Sequence, residues 1–369
     1  MIGMNASFAV PDGVYLLSHS VGCLPRDAEA VLAKRYFRPW REQGGNAWPG
    51  WLGEIERFRG ALARLVGGTA AGVCPTANVA GAVARILDAL PQRAGRTTLL
   101  LCEEDFPSPA YAVQRAGQLG HDVRFLPRGP AAEDIASWDA ALDGSVQAAL
   151  VTHAFSNRSA RLPVADITRL ARSRGIYTIV DAVQSAGVVP IDVGDWSADF
   201  VVGTCVKFLC GGPGAGWLWA APEALAVSQP RDVGWFSHAD PFAMDIRDFR
   251  YAPDALRFWG GTPSVAPFIL AAHALEMLLA IGVPAIQAHN QDLIDRLHAG
   301  VPAGAIASAR DRDTRGNCVL VRVPDTAAAM QRLAAANVLA DARDGCIRVS
   351  PHLYSSAADI DRLVAALAL

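Results

Sequence analysis

The sequence predicts an α/β fold: a mostly parallel sheet flanked by helices, followed by a smaller C-terminal α+β domain. Three observations point there. Between about residues 55 and 220, short β-rich runs alternate with helical periods, the pattern of parallel strands joined by crossover helices. Two apolar runs, 178–181 and 199–207, end in a carboxylate and an amine, Asp181 and Lys207. After residue 264 the pattern changes to a long helical stretch and then to isolated strands and helices.

The elements follow in order. Residues 55–71 and 77–90 carry apolar side chains at helical spacing. A strand at 97–102 is followed by a helix at 109–119. Strands at 123–126 and 148–153 flank a helix or loop. Residues 164–174 are helical and 177–181 form a strand. The run 199–207 supplies another strand, and Gly211–Gly212–Pro213–Gly214–Ala215–Gly216 leads into a further one at 217–220. Residues 222–262, rich in Pro, Asp, Trp and Phe, read as an irregular, ordered connection. A long helical pattern covers 264–299. Strands at 318–323 and 346–349 and helices at 326–335 and 357–367 complete the chain. The division expected is 1–255 for a large domain with its N-terminal segment and 256–369 for a small one.

With 369 residues the chain is long enough for about two domains. It is 51% hydrophobic and 19% charged, the composition of a globular protein with a sizeable core. A net charge of −3 offers no basic footprint for nucleic acid or an anionic membrane. The seven cysteines are scattered without a C-x-x-C pair, so neither a disulfide framework nor a metal site is expected, and a reducing, cytoplasmic compartment is. No signal-peptide pattern opens the chain, and no apolar run is long enough for a transmembrane helix.

Asp181 and Lys207 would stand at neighbouring C-terminal strand ends, where open α/β sheets bind ligands. Lys207 lies between Cys205–Val206 and Phe208–Leu209–Cys210, and an amine in such apolar surroundings is a better nucleophile. Alone, a strand-end Asp or a surface Lys is ordinary. Together they match the needs of pyridoxal phosphate: an amine for a Schiff base and a carboxylate to keep the pyridine nitrogen protonated. The glycine loop leads into a strand rather than a helix, which argues against a dinucleotide fingerprint. Thr76 and Ala77 open a helical run, which is either an ordinary cap or a phosphate site. The acidic stretch Glu103–Glu104–Asp105 reads as a solvated loop. Phe106 after it either packs in the core or stacks on a flat ring. Arg348, inside a short apolar strand, is either a surface residue or a carboxylate fork.

These residues together resemble the class V aminotransferase family of fold-type-I pyridoxal-phosphate enzymes, closest to its kynureninase and isopenicillin-N-epimerase-like branch. The resemblance runs from Tyr15–Leu16–Leu17–Ser18–His19 to Arg348–Val349–Ser350–Pro351–His352–Leu353–Tyr354. Asp181-x-x-Gln184-Ser185-x-Gly187 is similar to the family's D-x-x-[QH]-S-x-G element. Gly234–Trp235–Phe236–Ser237–His238 and Arg257–Phe258–Trp259–Gly260–Gly261–Thr262–Pro263 resemble two kynureninase-branch elements. The resemblance implies that Lys207 carries the cofactor, Asp181 pairs with the ring nitrogen, Gln184 contacts the phenolic side, and Phe106 stacks on the ring. It implies that Thr76, Ala77 and Thr152 bind phosphate, with Trp235, and with Thr262 from a partner subunit of a homodimer. Arg348 would hold the α-carboxylate of an amino-acid substrate.

Val206 stands where kynureninases carry Tyr, Pro109 where an Asp is expected, and Gln184 where that branch often has His. The expected activity is therefore transamination. Kynureninase-like hydrolysis comes second and carbon–sulfur lyase or epimerase chemistry third, with a catalytically silent cofactor-binding protein as the non-enzymatic alternative.

Overall fold

The computed structural model describes residues 7–369. Residues 1–6, part of the stretch read as lacking a signal peptide, lie outside the described residues. The centre is a seven-stranded sheet: β1 (Val73–Thr76), β2 (Thr98–Cys102), β3 (Asp122–Leu126), β4 (Val146–Thr152), β5 (Tyr177–Asp181), β6 (Phe200–Thr204) and β7 (Gly216–Ala220). Their order is β1-β7-β6-β5-β4-β2-β3. Strands β2 to β6 run parallel, while β7 is antiparallel to both neighbours. Every residue of β2, β4 and β5 is buried, because helices cover both faces; this is why these strands read as continuous apolar runs. Strand β1 escapes the sequence reading because it is four residues long, contains Pro75 and lies between two strong helical periods.

Helix α1 (Trp48–Val66) starts earlier than expected and stops at Gly67, which takes the left-handed conformation (φ 70°) that glycine adopts without penalty. Helices α2 (Val79–Ala89), α3 (Pro107–Arg115) and α4 (Val164–Ser173) pack on the sheet. The single long helical pattern at 264–299 is two helices, α5 (Ala266–Ile281) and α6 (Val283–Gly300), bent by 79° at their junction. Gly282 (φ 88°) makes the break, and Pro284 in the first turn of α6 could not have continued α5.

That bend separates two apolar cores. Phe268, Ala271, Ala272 and Leu275 of α5 join the large core, beyond the boundary near 255 drawn from sequence. Leu293, Ile294 and Leu297 of α6 join the second core. There they meet β8 (Val319–Arg322), β10 (Cys346–Val349), α7 (Thr326–Ala335) and α8 (Ala357–Leu367). Strand β9 (Asp341–Arg343) pairs antiparallel with β10. Val14 and Leu16 also enter the second core, held by pairing of Val14–Tyr15 with Val338–Leu339. Among the described residues, no single helix is long and apolar enough to cross a membrane, and no cluster of three His, Cys, Asp or Glu could hold a metal.

Candidate active site

Strand register sets the site. Asp181 ends β5, and Thr204 ends the adjacent β6, so the turn that follows carries Lys207 across the top of β5. The turn is tied down: Val206 O accepts the Gly22 amide at 2.8 Å, and Lys207 O accepts the Cys210 amide at 3.0 Å. A Cβ at Gly22 would come within 2.1 Å of Lys207 O, so only glycine lets the N-terminal segment approach this closely.

Lys207 and Asp181 line one cavity of about 180 Å³ with Asn78, Phe106, Ser108 and Thr204. Lys207 Nζ sits 4.9 Å above the Phe106 ring centroid. Burial lowers the Lys207 pKa, opposed by the charge of Asp181, which favours the neutral, nucleophilic amine. Asp181 Oδ1 accepts the Val183 amide at 2.8 Å, and Oδ2 takes no hydrogen bond among the described residues. Burial raises the Asp181 pKa, opposed by the Val183 amide and by Lys207. A cation placed against Oδ2 would restore the carboxylate.

The far end of the Lys207 cavity is formed by α2. Asn78, Val79 and Ala80, at the N-terminus of α2, face the Lys207 cavity together with Thr204. Asn78 caps the helix by accepting the Gly81 amide at 2.8 Å, leaving first-turn N–H groups for an anion. Thr76 and Ala77 line neighbouring cavities instead, because the helix begins two residues later than read from sequence. Thr204, a hydroxyl three residues before the lysine, lines the cavity and was not singled out from the sequence. Gly216, between β1 and β6, keeps this end open: a Cβ there would lie 2.9 Å from Asn78 N and from Thr76 Oγ1.

Thr152 stands apart from Thr76. It is paired with Asp181 in the β4–β5 ladder, four strands from Thr76, roughly 19 Å at about 4.8 Å per strand. Its hydroxyl donates to Asp105 Oδ1 at 2.6 Å, on the Asp181 side of the site. Nor is the acidic stretch solvated throughout. Glu104 is buried against Arg158 (2.7 and 2.9 Å), and Asp105 Oδ2 accepts the Cys102 amide at 2.8 Å.

Burial, with Asp181 and Glu104 adding like charge, pushes the Asp105 carboxyl up to about 7. The native state then keeps a proton that the unfolded chain has lost above 3.8, so this group lowers stability as pH rises from about 4 to about 7 and no further above. The Tm difference between Asp105→Asn and wild type should move in the variant's favour across that window and stay level above it. A pH-independent difference would show that Asp105 does not retain its proton.

Gln184 Nε2 donates to His19 O at 3.2 Å, while its Oε1 is buried without a partner among the described residues. Arg348 is buried and already clamped: Nε reaches Asp341 Oδ1 at 3.0 Å, Nη2 reaches Asp341 Oδ2 at 2.5 Å, and Nη1 reaches Ser156 O at 3.1 Å. Trp235 Nε1 donates to Thr262 Oγ1 at 3.3 Å, and Thr262 shares a cavity with Thr76 and Ala77 of its own chain.

A desolvated amine, a carboxylate with one bare oxygen, an orphaned amide oxygen and a helix N-terminus open to an anion fit a group bearing an aldehyde, a pyridine nitrogen, a phenolic oxygen and a phosphate. Comparisons with known proteins agree. The model of the aminotransferase class-V family matches residues 53–363. A kynureninase of Deinococcus radiodurans is 30% identical over 385 residues, covering 99% of this chain and 92% of the relative. A kynureninase of Burkholderia pseudomallei is 28% identical, covering 92% and 85%. In fold, the chain is similar to a mutant of C-DES that carries glycine covalently linked to its pyridoxal-phosphate cofactor (TM-score 0.88, 22% identity, 99% and 98% covered). It is also similar to a cysteine desulfurase of Thermococcus onnurineus NA1 (TM-score 0.85, 18% identity, 96% and 93% covered). Matched across both cores and through the lysine turn, the chain belongs to the aminotransferase class-V family and is a pyridoxal-phosphate enzyme of fold type I.

Proposed function

We propose that this enzyme moves the amino group of an α-amino acid by transamination. One observation carries the reading: apart from Asp181, Lys207 is the one acid–base group lining the cavity among the described residues. When bound, pyridoxal phosphate supplies an aldehyde that captures amines and a ring that stores the electrons of a breaking bond. Lys207 would hold the cofactor's aldehyde carbon, and its amine, once free, would take up and return a proton at Nζ. Asp181 Oδ2 keeps the ring nitrogen protonated. The α2 N-terminus and Thr204 hold the phosphate, and Phe106 covers the ring. Gln184 Oε1 receives the phenolic hydroxyl. Arg348 keeps one N–H on each terminal nitrogen beyond its present partners, enough for an α-carboxylate.

Kynureninase-type hydrolysis is the second reading, favoured by the two relatives of that name. It needs a further proton donor beside the lysine, and Val206 has no ionisable atom. The deciding assay measures keto acid from common amino acids beside anthranilate from kynurenine. Keto acid should dominate. Anthranilate release with kcat/KM of about 10⁴ M⁻¹s⁻¹ or more would make hydrolysis the function.

The reading extends to a homodimer with a shared site. Its support is the partly exposed Trp235–Thr262 pair beside exposed Phe242, Met244, Ile246 and Phe249, an apolar surface that a second copy would cover. The two cores correspond on this reading to a large cofactor-binding domain and a smaller C-terminal one. Seven unpaired, buried thiols support a cytoplasmic location.

A further inference from the structure

We infer that the amino acid acted on carries a second anionic group, on its side chain, and that Arg343 receives it. This rests on the reading of Lys207 and Arg348 above. Three observations lead there. First, Asp341 and Arg343 are two residues apart on β9 and therefore share a face. Asp341 reaches Arg348 on that face, and Arg343 lies over the Phe106 ring, its guanidinium carbon 6.0 Å from the centroid.

Second, the charges there are unequal. The Arg348 cation is matched by the two oxygens of Asp341, which also takes His19 Nε2 at 3.2 Å. Arg343 makes no ion pair and no side-chain hydrogen bond among the described residues, and its charge acts on Lys207. Asp181 is the single carboxylate among the described residues lining the Lys207 cavity, and its place is at the ring nitrogen. With an α-carboxylate on the two remaining N–H groups of Arg348, Arg343 is the cation left to receive a second anionic group.

Third, the reach is right. Lys207 Nζ and the Arg343 guanidinium lie 4.9 and 6.0 Å from the same centroid, so they are at most about 11 Å apart. Three or four bonds of about 1.5 Å separate the nitrogen of an aspartate- or glutamate-like molecule from its side-chain carboxyl carbon. With a hydrogen bond of about 2.9 Å such a molecule spans roughly 7–9 Å, inside that upper limit. The planar fork of an arginine suits a carboxylate or a sulfinate equally, so the chemical class is an acidic α-amino acid with a short side chain.

The test separates binding from turnover by using unreactive acids. Calorimetry on the holoenzyme would compare succinate and glutarate with propionate and butyrate, in wild type, Arg343→Met and Arg343→Lys. The diacids should bind at least tenfold more tightly to wild type. That ratio should collapse towards one in Arg343→Met and be partly kept in Arg343→Lys, which retains charge without the fork. Equal affinities in wild type, or a ratio unchanged in Arg343→Met, would show that Arg343 only packs on Phe106 and would overturn the inference. A diacid preference that depends on Arg343, without keto acid from acidic amino acids, would uphold the inference and remove the transamination reading alone.

Discussion

Lys207→Ala is expected to lower kcat by roughly 10⁴-fold or more, the upper range of what a positioned acid–base group contributes, because the same amine also anchors the cofactor. The loss should not come from unfolding. Burial already disfavours a charge at this position, so a methyl group in place of the amine removes a desolvation cost rather than adding one. Tm should therefore hold or rise while activity disappears. The cofactor should remain bound through its phosphate at the α2 N-terminus but become removable, since no covalent link retains it. Borohydride reduction followed by peptide mass analysis checks this directly: wild type should carry the reduced adduct on Lys207, and the variant none. An adduct on another lysine in Lys207→Ala would move the chemistry away from the β6 turn.

Asp181→Asn is expected to lower kcat by about 10- to 1000-fold. An opposite charge at close range shifts a pKa by roughly 1–3 units, and the ring nitrogen loses that much preference for its proton when the carboxylate goes. Stability should move the other way in the cofactor-free protein. The Asp181 pKa is raised by burial, so the folded chain holds a proton that the unfolded chain has lost above 3.8, and stability falls as pH rises beyond it. Asparagine keeps an acceptor for the Val183 amide and carries no charge, so the apoprotein Tm at pH 8 should be at least that of wild type. Wild-type turnover in Asp181→Asn, or a lowered apoprotein Tm, would mean that Asp181 serves the fold and not the ring.

The central part of the site was legible in the sequence because it lies at strand ends. Asp181 and Lys207 each follow an apolar run, and two parallel strands side by side place their C-terminal residues together wherever else the chain goes. Phe106 was legible for the same reason, since it lies just beyond the end of β2. The α2 end of the cavity was not. Whether Thr76 or Asn78 caps α2 depends on where β1 stops, and a four-residue strand paired to a distant antiparallel β7 leaves no periodicity to read. The acidic stretch was misread because its burial comes from Arg158 and Thr152, residues remote in sequence.

By itself, the sequence determined the alternation of strands and helices and the two residues whose chemistry selects the cofactor, since these follow from local periodicity and side-chain type. Only the tertiary structure decided the rest. It bent one helical pattern at Gly282 so that α5 and α6 serve different cores. It set Thr152 beside Asp181, because strand order, not sequence distance, sets which ends are neighbours. It also set Asp341 against Arg348 and left Arg343 without a carboxylate, since a β-hairpin pairs residues across its two strands and charge balance there depends on which side chains share a face.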